Sequence, residues 1–219
     1  ANSGIGYETA RTCAERGAHT ILACRDENRG RKAIEKIRAQ NVPGKTENML
    51  LDLGSLTSIK TFSTKLLNQF KHLDGLINNA GIMLTPYQLT EDGFESQFGI
   101  NHLGHFALTG LLMPTLLKTP KSRIVNVSSG AHSMGTMDFD NLIFGGKEKY
   151  TSIGAYCRSK LANLLFTKGL HHRLEIAKTG ITATAAHPGW SNTRAFRQDR
   201  SLIQALLFAQ PANKGALSI

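Results

Sequence analysis

The sequence predicts a doubly wound α/β domain, in which one parallel β-sheet carries helices on both faces. Two observations support this class. Short apolar runs alternate with longer segments of helical periodicity along the 219 residues. Polar clusters follow several of these runs, at the strand ends where open α/β sheets bind ligands. With 41% hydrophobic residues the chain can bury one core, and we expect a single domain over residues 1–219.

The apolar runs and the periodic segments give the order of the elements. Strands are predicted at 20–23, 48–51, 76–78, 123–127 and 182–186. Helices are predicted at 5–16, 27–39, 55–70, 93–117, 155–174 and 202–208. Strands that alternate with helices form βαβ units, whose crossovers give a parallel sheet.

One strand of such a sheet is missing from this pattern. The chain begins inside the glycine-rich turn that a first strand should enter, and in the strand order 3-2-1-4-5-6 that strand is paired on both edges. The hydrogen bonds of such a strand rival the ~5–15 kcal/mol that stabilises a whole domain. We therefore expect a fragment of a longer protein, also shortened at its C-terminal end, and predict that residues 1–219 alone do not fold cooperatively.

Composition limits the classes of function. The net charge of +10 comes from Lys and Arg residues scattered among acids, so no nucleic-acid partner is expected. Cys13, Cys24 and Cys157 form no C-x-x-C pair, which favours a reducing compartment, with the cytoplasm as the default location. No run of about 18 apolar residues occurs, so membrane association would come only from segments absent here. His102 and His105 lack partners for a metal site, and we predict no metal.

Tyr156 and Lys160 form the most informative pair of residues. Four positions apart on a predicted helix, a phenol and an ammonium share one face. A nearby cation favours the phenolate, so Lys160 is expected to lower the pKa of Tyr156 toward the working range of an acid/base catalyst. This spacing also arises by chance on solvated helices, so the other motifs have to supply the specificity.

Four further motifs occur at strand ends or at a helix start. Asn2-Ser-Gly-Ile-Gly6 opens a helix in the manner of a phosphate-binding turn. Asn78-Asn-Ala-Gly81, Ser128-Ser129 and His187-Pro-Gly189 each follow a predicted parallel strand. Because the carboxyl ends of parallel strands lie at one edge of a sheet, these groups predict a shared ligand site.

Together with Asn101-His-Leu-Gly104, these motifs resemble the short-chain dehydrogenase/reductase superfamily over the whole chain. Every part of the family fingerprint except its leading Thr-Gly is present. Asn101-His-Leu-Gly-His-Phe106 and Tyr156-Cys-Arg-Ser-Lys-Leu-Ala-Asn163 are also similar to the retinol dehydrogenase and WW-domain oxidoreductase branch. The resemblance implies a Rossmann-like fold and carbonyl–alcohol chemistry.

The resemblance also implies four catalytic residues. Tyr156 is the general acid of reduction and, as its phenolate, the base of the reverse reaction. Lys160 assists Tyr156 and binds the nicotinamide ribose. Ser129 holds the substrate oxygen, with Ser128 as the competing assignment. Asn101 binds a water linked to Lys160, although a buried structural amide is the alternative for this residue.

For the cofactor, the residue that ends the second strand of the fold decides between NAD(H) and NADP(H). Arg25 occupies that place and suits a 2′-phosphate, whereas Asp26 is expected to cap the next helix. We therefore predict NADP(H). Asp52, for which a turn role is the alternative, is placed with Leu53 beside the adenine. The remaining residues expected to contact the cofactor, besides Tyr156 and Lys160, are Ser3, Gly4, Ile5, Gly6, Asn79, Ala80, Gly81, Pro188, Gly189 and Thr193.

Ser129 and Tyr156 are farther apart in sequence than in many members of the superfamily, and the surplus is the segment 134–151. It would form a loop beside the substrate cleft, with Met137, Phe139, Leu142 and Phe144 available for apolar contact. A surface excursion that packs on itself is the alternative.

We therefore predict an NADP(H)-dependent enzyme that interconverts an apolar aldehyde or ketone and its alcohol by hydride transfer. Two other functions stay open: reduction of a conjugated C=C bond, and an NADP(H)-binding regulatory or scaffold protein in which turnover is incidental. The partner is a small-molecule carbonyl or alcohol. Substrate identity, direction and oligomeric state, including a homo-oligomer, are left open by the sequence.

Overall fold

The computed structural model describes residues 1–142, 144, 146–189 and 210–219. These residues contain the strands Thr20–Cys24 (β1), Thr46–Leu50 (β2), Gly75–Asn78 (β3), Arg123–Val127 (β4) and Thr182–Ala186 (β5). Their α-helices are Gly4–Glu15 (α1), Glu27–Arg38 (α2), Leu56–Gln69 (α3), Ser96–Phe98 (α4), Gly104–Lys118 (α5), Ser152–Ile176 (α6) and Ala212–Ala216 (α7). The α/β class is confirmed, and each predicted strand is present. The predicted helix at 202–208 lies outside the described residues.

The first compact unit comprises Ala1–Asp52 and Pro188–Ile219. Its strands β1 and β2 pair in parallel, with Thr20 opposite Thr46. Small and branched side chains of α1, β1 and α2 form its core, among them Ala14, Leu22 and Ile37, which are fully buried. This unit therefore fixes the start of α1 and the end of β1, where the sequence places phosphate-binding groups.

The second compact unit, Leu53–His187, holds a parallel sheet in the order β3-β4-β5. Ile59 of α3, Leu112 of α5 and Ile124 of β4 are fully buried in its core. In the strand order 3-2-1-4-5-6, β1 and β2 correspond to strands 2 and 3, and β3, β4 and β5 correspond to strands 4, 5 and 6. The observed pairings agree with this order. The single-domain organisation and the folding of residues 1–219 in isolation stay predictions.

The predicted helix at 93–117 is wrong in detail. The carboxylate of buried Glu95 accepts hydrogen bonds from the N–H groups of Gln97 and Phe98, both at 2.8 Å, so α4 begins at Ser96. A π-helical turn, Gly99–Leu103, then leads into α5. π-Helical turns are rare in proteins, and those that do occur are frequently found at functional sites. This turn contains Asn101.

The segment 134–151, predicted as a loop, contains short 3₁₀ turns at Phe139–Asn141 and Lys147–Lys149. Another 3₁₀ turn, Gly130–Met134, leads into it from the end of β4. The cysteines Cys13, Cys24 and Cys157 form no disulfide. Within the described part of the chain, no helix is long and apolar enough to cross a membrane.

Candidate active site

Tyr156 and Lys160 lie one turn apart on α6, as their spacing predicts. The Lys160 ammonium is 5.7 Å from the centre of the Tyr156 ring. Lys160 is 5% exposed, and its Nζ donates a hydrogen bond to the carbonyl oxygen of Val127, 3.1 Å away at the end of β4. The helix therefore holds the cation against the carboxyl edge of the sheet while Tyr156 stays half-buried.

Burial controls the protonation of both groups. It lowers the pKa of Lys160 from 10.5 to about 8. It also raises the pKa of Tyr156 above its ordinary value of 10, because the loss of solvent around the phenolate outweighs the opposing hydrogen bond with Ser129. The helical spacing predicts that Lys160 lowers the pKa of Tyr156, and the direction in the structure is the opposite. The physical reason is that burial penalises the phenolate more than its neighbours stabilise it.

The two serines at the end of β4 have different partners. The Ser128 hydroxyl is buried and donates to the carbonyl oxygen of Lys160 at 2.8 Å, which is a structural bond between β4 and α6. The Ser129 hydroxyl interacts with the Tyr156 side chain and accepts a hydrogen bond from the Ala131 N–H at 3.3 Å. The structure thus brings Ser129, the preferred residue of the sequence analysis, to the phenol.

Asn101 is fully buried, and its amide is engaged by protein groups. Its Nδ2 donates to the Ile82 carbonyl oxygen at 2.9 Å and to the Ser159 hydroxyl at 3.0 Å. Its Oδ1 accepts from the Ile82 N–H at 2.8 Å. These bonds tie the π-helical turn to the backbone that follows the Asn78-Asn-Ala-Gly81 motif, and the water linked to Lys160 stays a prediction for Asn101.

Asn163 has no role predicted from the sequence, although the structure places it between Asn101 and Lys160. Its Nδ2 donates to the carbonyl oxygens of Asn101 (3.0 Å) and Val127 (3.3 Å), the latter shared with Lys160. The signal was available, because an Asn inside a helix is unfavourable and suggests a specific bond. That argument was applied to Asn101 and applies equally to Asn163.

The two histidines of the π-helical turn and α5 belong to this polar network. His102 Nδ1 lies 3.1 Å from Asn163 Oδ1, and His105 Nδ1 lies 3.0 Å from the Asn101 carbonyl oxygen. Since carbonyl-type oxygens only accept, each Nδ1 carries the proton. Burial lowers both pKa values, that of His105 to about 4, so both rings are neutral at pH 7. The described residues hold no cluster of three metal-ligating side chains.

In the first unit, the start of α1 fits a phosphate group. Gly4 has a φ of +58°, a left-handed conformation that favours glycine. Ser3 occupies the N-cap position without a side-chain capping bond, and the first turn contains no acidic residue. The first N–H groups of α1 and the positive end of its dipole therefore suit an anion such as a pyrophosphate.

The end of β1 carries the residues that were predicted to decide between the two nicotinamide cofactors. Arg25 is exposed immediately after β1. Asp26 caps α2 as predicted, because its carboxylate accepts the Arg29 N–H at 2.9 Å. A capping carboxylate is engaged by its own helix, which leaves Arg25 as the group at this position suited to a 2′-phosphate.

The remaining predicted cofactor residues are found as follows. A Cβ built on Gly81 would lie 3.1 Å from Asn101 Oδ1 and 3.6 Å from Lys160 Nζ, so glycine keeps this space open beside the ammonium.

Gly189 has a φ of +66°, and the carbonyl oxygen of Pro188 accepts from Gln210 Nε2 at 2.7 Å. Asp52 is half-buried, Leu53 is buried, and Asn79 is half-buried next to exposed Ala80. Ser3 and Ile5 are half-buried, Gly6 is buried, and Thr193 lies outside the described residues.

The chain is similar to known proteins over most of its length. A family model described as short chain dehydrogenase matches residues 1–141. Human retinol dehydrogenase 13 is 48% identical over 197 residues, which make up 90% of this chain and 59% of that protein. The chain therefore spans less than two thirds of the length of this curated relative.

Solved structures share the fold. A crystal structure of a protein from Mycobacterium paratuberculosis has a TM-score of 0.81 and 44% sequence identity, covering 100% of this chain and 71% of that chain. A short-chain dehydrogenase from Sphingobium yanoikuyae in complex with NADPH has a TM-score of 0.75 and 22% identity, covering 98% of this chain and 78% of that chain.

Proposed function

Because the chain belongs to the short-chain dehydrogenase family, we propose that it acts as an NADP(H)-dependent oxidoreductase on an apolar aldehyde or ketone and the corresponding alcohol. One observation carries the proposal. On α6, the Lys160 ammonium lies 5.7 Å from the centre of the Tyr156 ring, and the Ser129 side chain acts on the pKa of the same phenol. A proton donor, an oxygen-holding hydroxyl and a cation are the groups that carbonyl reduction needs.

Tyr156 is the proposed general acid. Its raised pKa keeps the phenol protonated at pH 7, so it can give its proton to the substrate oxygen as negative charge develops there. NADPH supplies the hydride when bound. Oxidation of the alcohol requires the phenolate instead, so we expect reduction to be favoured at neutral pH and oxidation to rise as the pH rises.

Ser129 and Lys160 are proposed to stabilise charge at the same point. The Ser129 hydroxyl can donate to the substrate oxygen, the same atom that receives the Tyr156 proton. With a pKa of about 8, Lys160 is mostly charged at pH 7 and favours the phenolate that remains after proton transfer. Gly81 leaves room beside this ammonium, where we propose that the nicotinamide ribose is bound.

The proposed cofactor is NADP(H). The uncapped start of α1 fits the pyrophosphate, and exposed Arg25 fits the 2′-phosphate. The remaining proposed cofactor contacts are Ser3, Gly4, Ile5, Gly6, Asp52, Leu53, Asn79, Ala80, Gly81, Pro188, Gly189 and Thr193. Retinoids are the first substrates to test, because human retinol dehydrogenase 13 is 48% identical.

The test is NADPH oxidation by the natural full-length protein with aliphatic, aromatic, retinoid and steroid carbonyls. Tyr156→Phe keeps the ring and removes the proton donor, and we expect it to lower kcat/KM by about 10²–10⁴-fold. Tyr7→Phe, a change of the same size on α1, serves as the control with unchanged turnover. NADPH binding without turnover of any carbonyl would contradict the proposal and favour a regulatory role or reduction of a C=C bond.

A further inference from the structure

Arg158 lies on α6 between Tyr156 and Lys160, and it is only 8% exposed. Among the described residues, no carboxylate forms an ion pair with it. A buried cation without an acid is costly unless its donors are satisfied in another way. The contacts that satisfy Arg158 therefore indicate why a guanidinium is present here.

Each of these contacts reaches the segment 134–151. Arg158 Nε donates to the carbonyl oxygen of Thr136 at 3.1 Å, and Nη1 donates to the carbonyl oxygen of Asn141. The guanidinium carbon lies 4.0 Å from the centre of the Phe144 ring, in cation–π contact. The planar fork of one side chain thus holds two backbone oxygens and an aromatic ring of the same loop.

Aromatic contacts extend this anchor. The Phe144 ring meets the Tyr150 ring edge-on at 5.7 Å, and Tyr150 meets Tyr87 at 5.3 Å. The Tyr150 hydroxyl donates to the Thr85 carbonyl oxygen at 2.7 Å and accepts from Gln97 Nε2 at 2.7 Å. Arg158, Phe144, Tyr150 and Tyr87 therefore form one continuous stack. Arg158 holds the segment at one end of this stack, and the hydrogen bonds of Tyr150 hold it near the other.

The segment also approaches the helix closely beside the catalytic tyrosine. A Cβ built on Gly135 would lie 2.6 Å from the carbonyl oxygen of Cys157, the residue next to Tyr156. Fastened in this way, the segment still leaves two large apolar side chains in solvent, Met134 at 67% and Phe139 at 75% exposure. Exposed apolar groups on an anchored loop that joins Ser129 to Tyr156 are suited to contact an apolar ligand.

We propose that Arg158 is a positioning residue that fixes the described residues of the segment 134–151 as a wall of the substrate site, and that this wall selects long apolar carbonyl compounds over short ones. The inference rests on the proposed function for its substrate, whereas the anchoring itself does not. Arg158 touches neither the reacting atoms nor the cofactor in this role. It acts through the position of Met134 and Phe139.

The test compares Arg158→Gln and Arg158→Lys with Arg173→Lys, an exposed arginine on the same helix, in the natural full-length protein. For a retinoid-sized aldehyde we expect KM to rise about tenfold in both Arg158 variants, with kcat changed much less. For a short aliphatic aldehyde, and for the Kd of NADPH, we expect no change. Arg173→Lys should match the unmodified protein throughout.

Limited trypsin digestion gives a readout that does not depend on activity. Lys147 and Lys149 are exposed in the segment, and cleavage there should be faster in the Arg158 variants than in Arg173→Lys. Unchanged cleavage would overturn the anchoring, and an equal rise in KM for long and short aldehydes would overturn the selection. If the unmodified protein reduces no carbonyl, the proposed function fails, while the digestion still decides whether Arg158 fixes the segment.

Discussion

At the scale of single residues, the site depends on Lys160, a cation whose burial is energetically unfavourable. Lys160 is 5% exposed and has no carboxylate partner among the described residues. Its pKa of about 8, compared with 10.5 in solvent, corresponds to about 3 kcal/mol of unfavourable free energy when the group is charged. A charge retained at such a cost is typical of a functional site.

We predict that Lys160→Met stabilises the protein at pH 7 by about 1–3 kcal/mol while it abolishes turnover. The Val127 carbonyl keeps its bond from Asn163, so the variant leaves no orphaned acceptor there. Because the folded-state pKa lies below the unfolded-state value, the unfolded protein binds more protons between pH 8 and 10.5. The unmodified protein therefore gains stability as the pH rises through this window.

Denaturant unfolding at pH 7 and pH 10 measures this difference. The advantage of Lys160→Met should be largest at pH 7 and should shrink toward pH 10. Lys168→Met, on the same helix but exposed, is the control and should show no such dependence. A variant that is less stable at pH 7 than at pH 10, relative to the unmodified protein, would refute the sign of the effect.

At the scale of elements, the π-helical turn and α6 are joined by one amide. Asn163 donates to the carbonyl oxygens of Asn101 and Val127 and lies against His102 Nδ1, so it joins the turn, β4 and α6. Thr167 Oγ1 donates to the Asn163 carbonyl oxygen at 2.7 Å and continues the network along the helix. The distance between Asn101 and Lys160 therefore depends on how the π-helical turn packs against α6, and not on either residue alone.

We predict that Asn163→Ala lowers the free energy of unfolding by about 2–3 kcal/mol, because buried donors and acceptors lose their partner. Turnover should fall with it, since the variant loses the amide that ties the Asn101 carbonyl to the Val127 carbonyl, the acceptor of Lys160. Urea unfolding and kcat measure the two effects. Asn68→Ala, an exposed helical asparagine on α3, should change stability by less than about 0.5 kcal/mol. Equal effects of the two substitutions would show that the amide network is not important.

At the scale of the whole molecule, the proposed cofactor selection and the proposed chemistry belong to different compact units. Arg25 and the start of α1 lie in the first unit, whereas Ser129, Tyr156 and Lys160 lie in the second. A substitution in the first unit should therefore change which cofactor is bound without changing the protonation of Tyr156. This separation gives a prediction for the molecule as a whole.

We predict that Arg25→Asp weakens NADPH much more than NADH, because it removes the cation for the 2′-phosphate and adds a repelling charge. Dissociation constants for both cofactors measure the effect. The pH dependence of the remaining turnover should stay unchanged. Lys36→Asp, with the same change of charge in the last turn of α2, is the control. Equal losses for NADPH and NADH would contradict the assignment of Arg25.

Local patterns were sufficient for much of the fold. The strands β4 and β5 begin and end where the sequence predicts them, because each is a short run of apolar and β-branched residues between turns. Asp26 caps α2 for an equally local reason, since its carboxylate bonds an N–H three residues away. The helix predicted at 93–117 was wrong because the buried carboxylate of Glu95 and the π-helical turn leave no mark on hydrophobic periodicity.

By itself, the sequence determined the α/β class, the order of the elements and the placement of Tyr156 and Lys160 on one helical face, because each depends on residues within a few turns. Only the tertiary structure decided that the pKa of Tyr156 is raised, that Ser128 bonds the backbone of Lys160, and that Arg158 holds the loop. Burial and these bonds sum over groups 17 or more positions apart in the chain. No local pattern contains that sum.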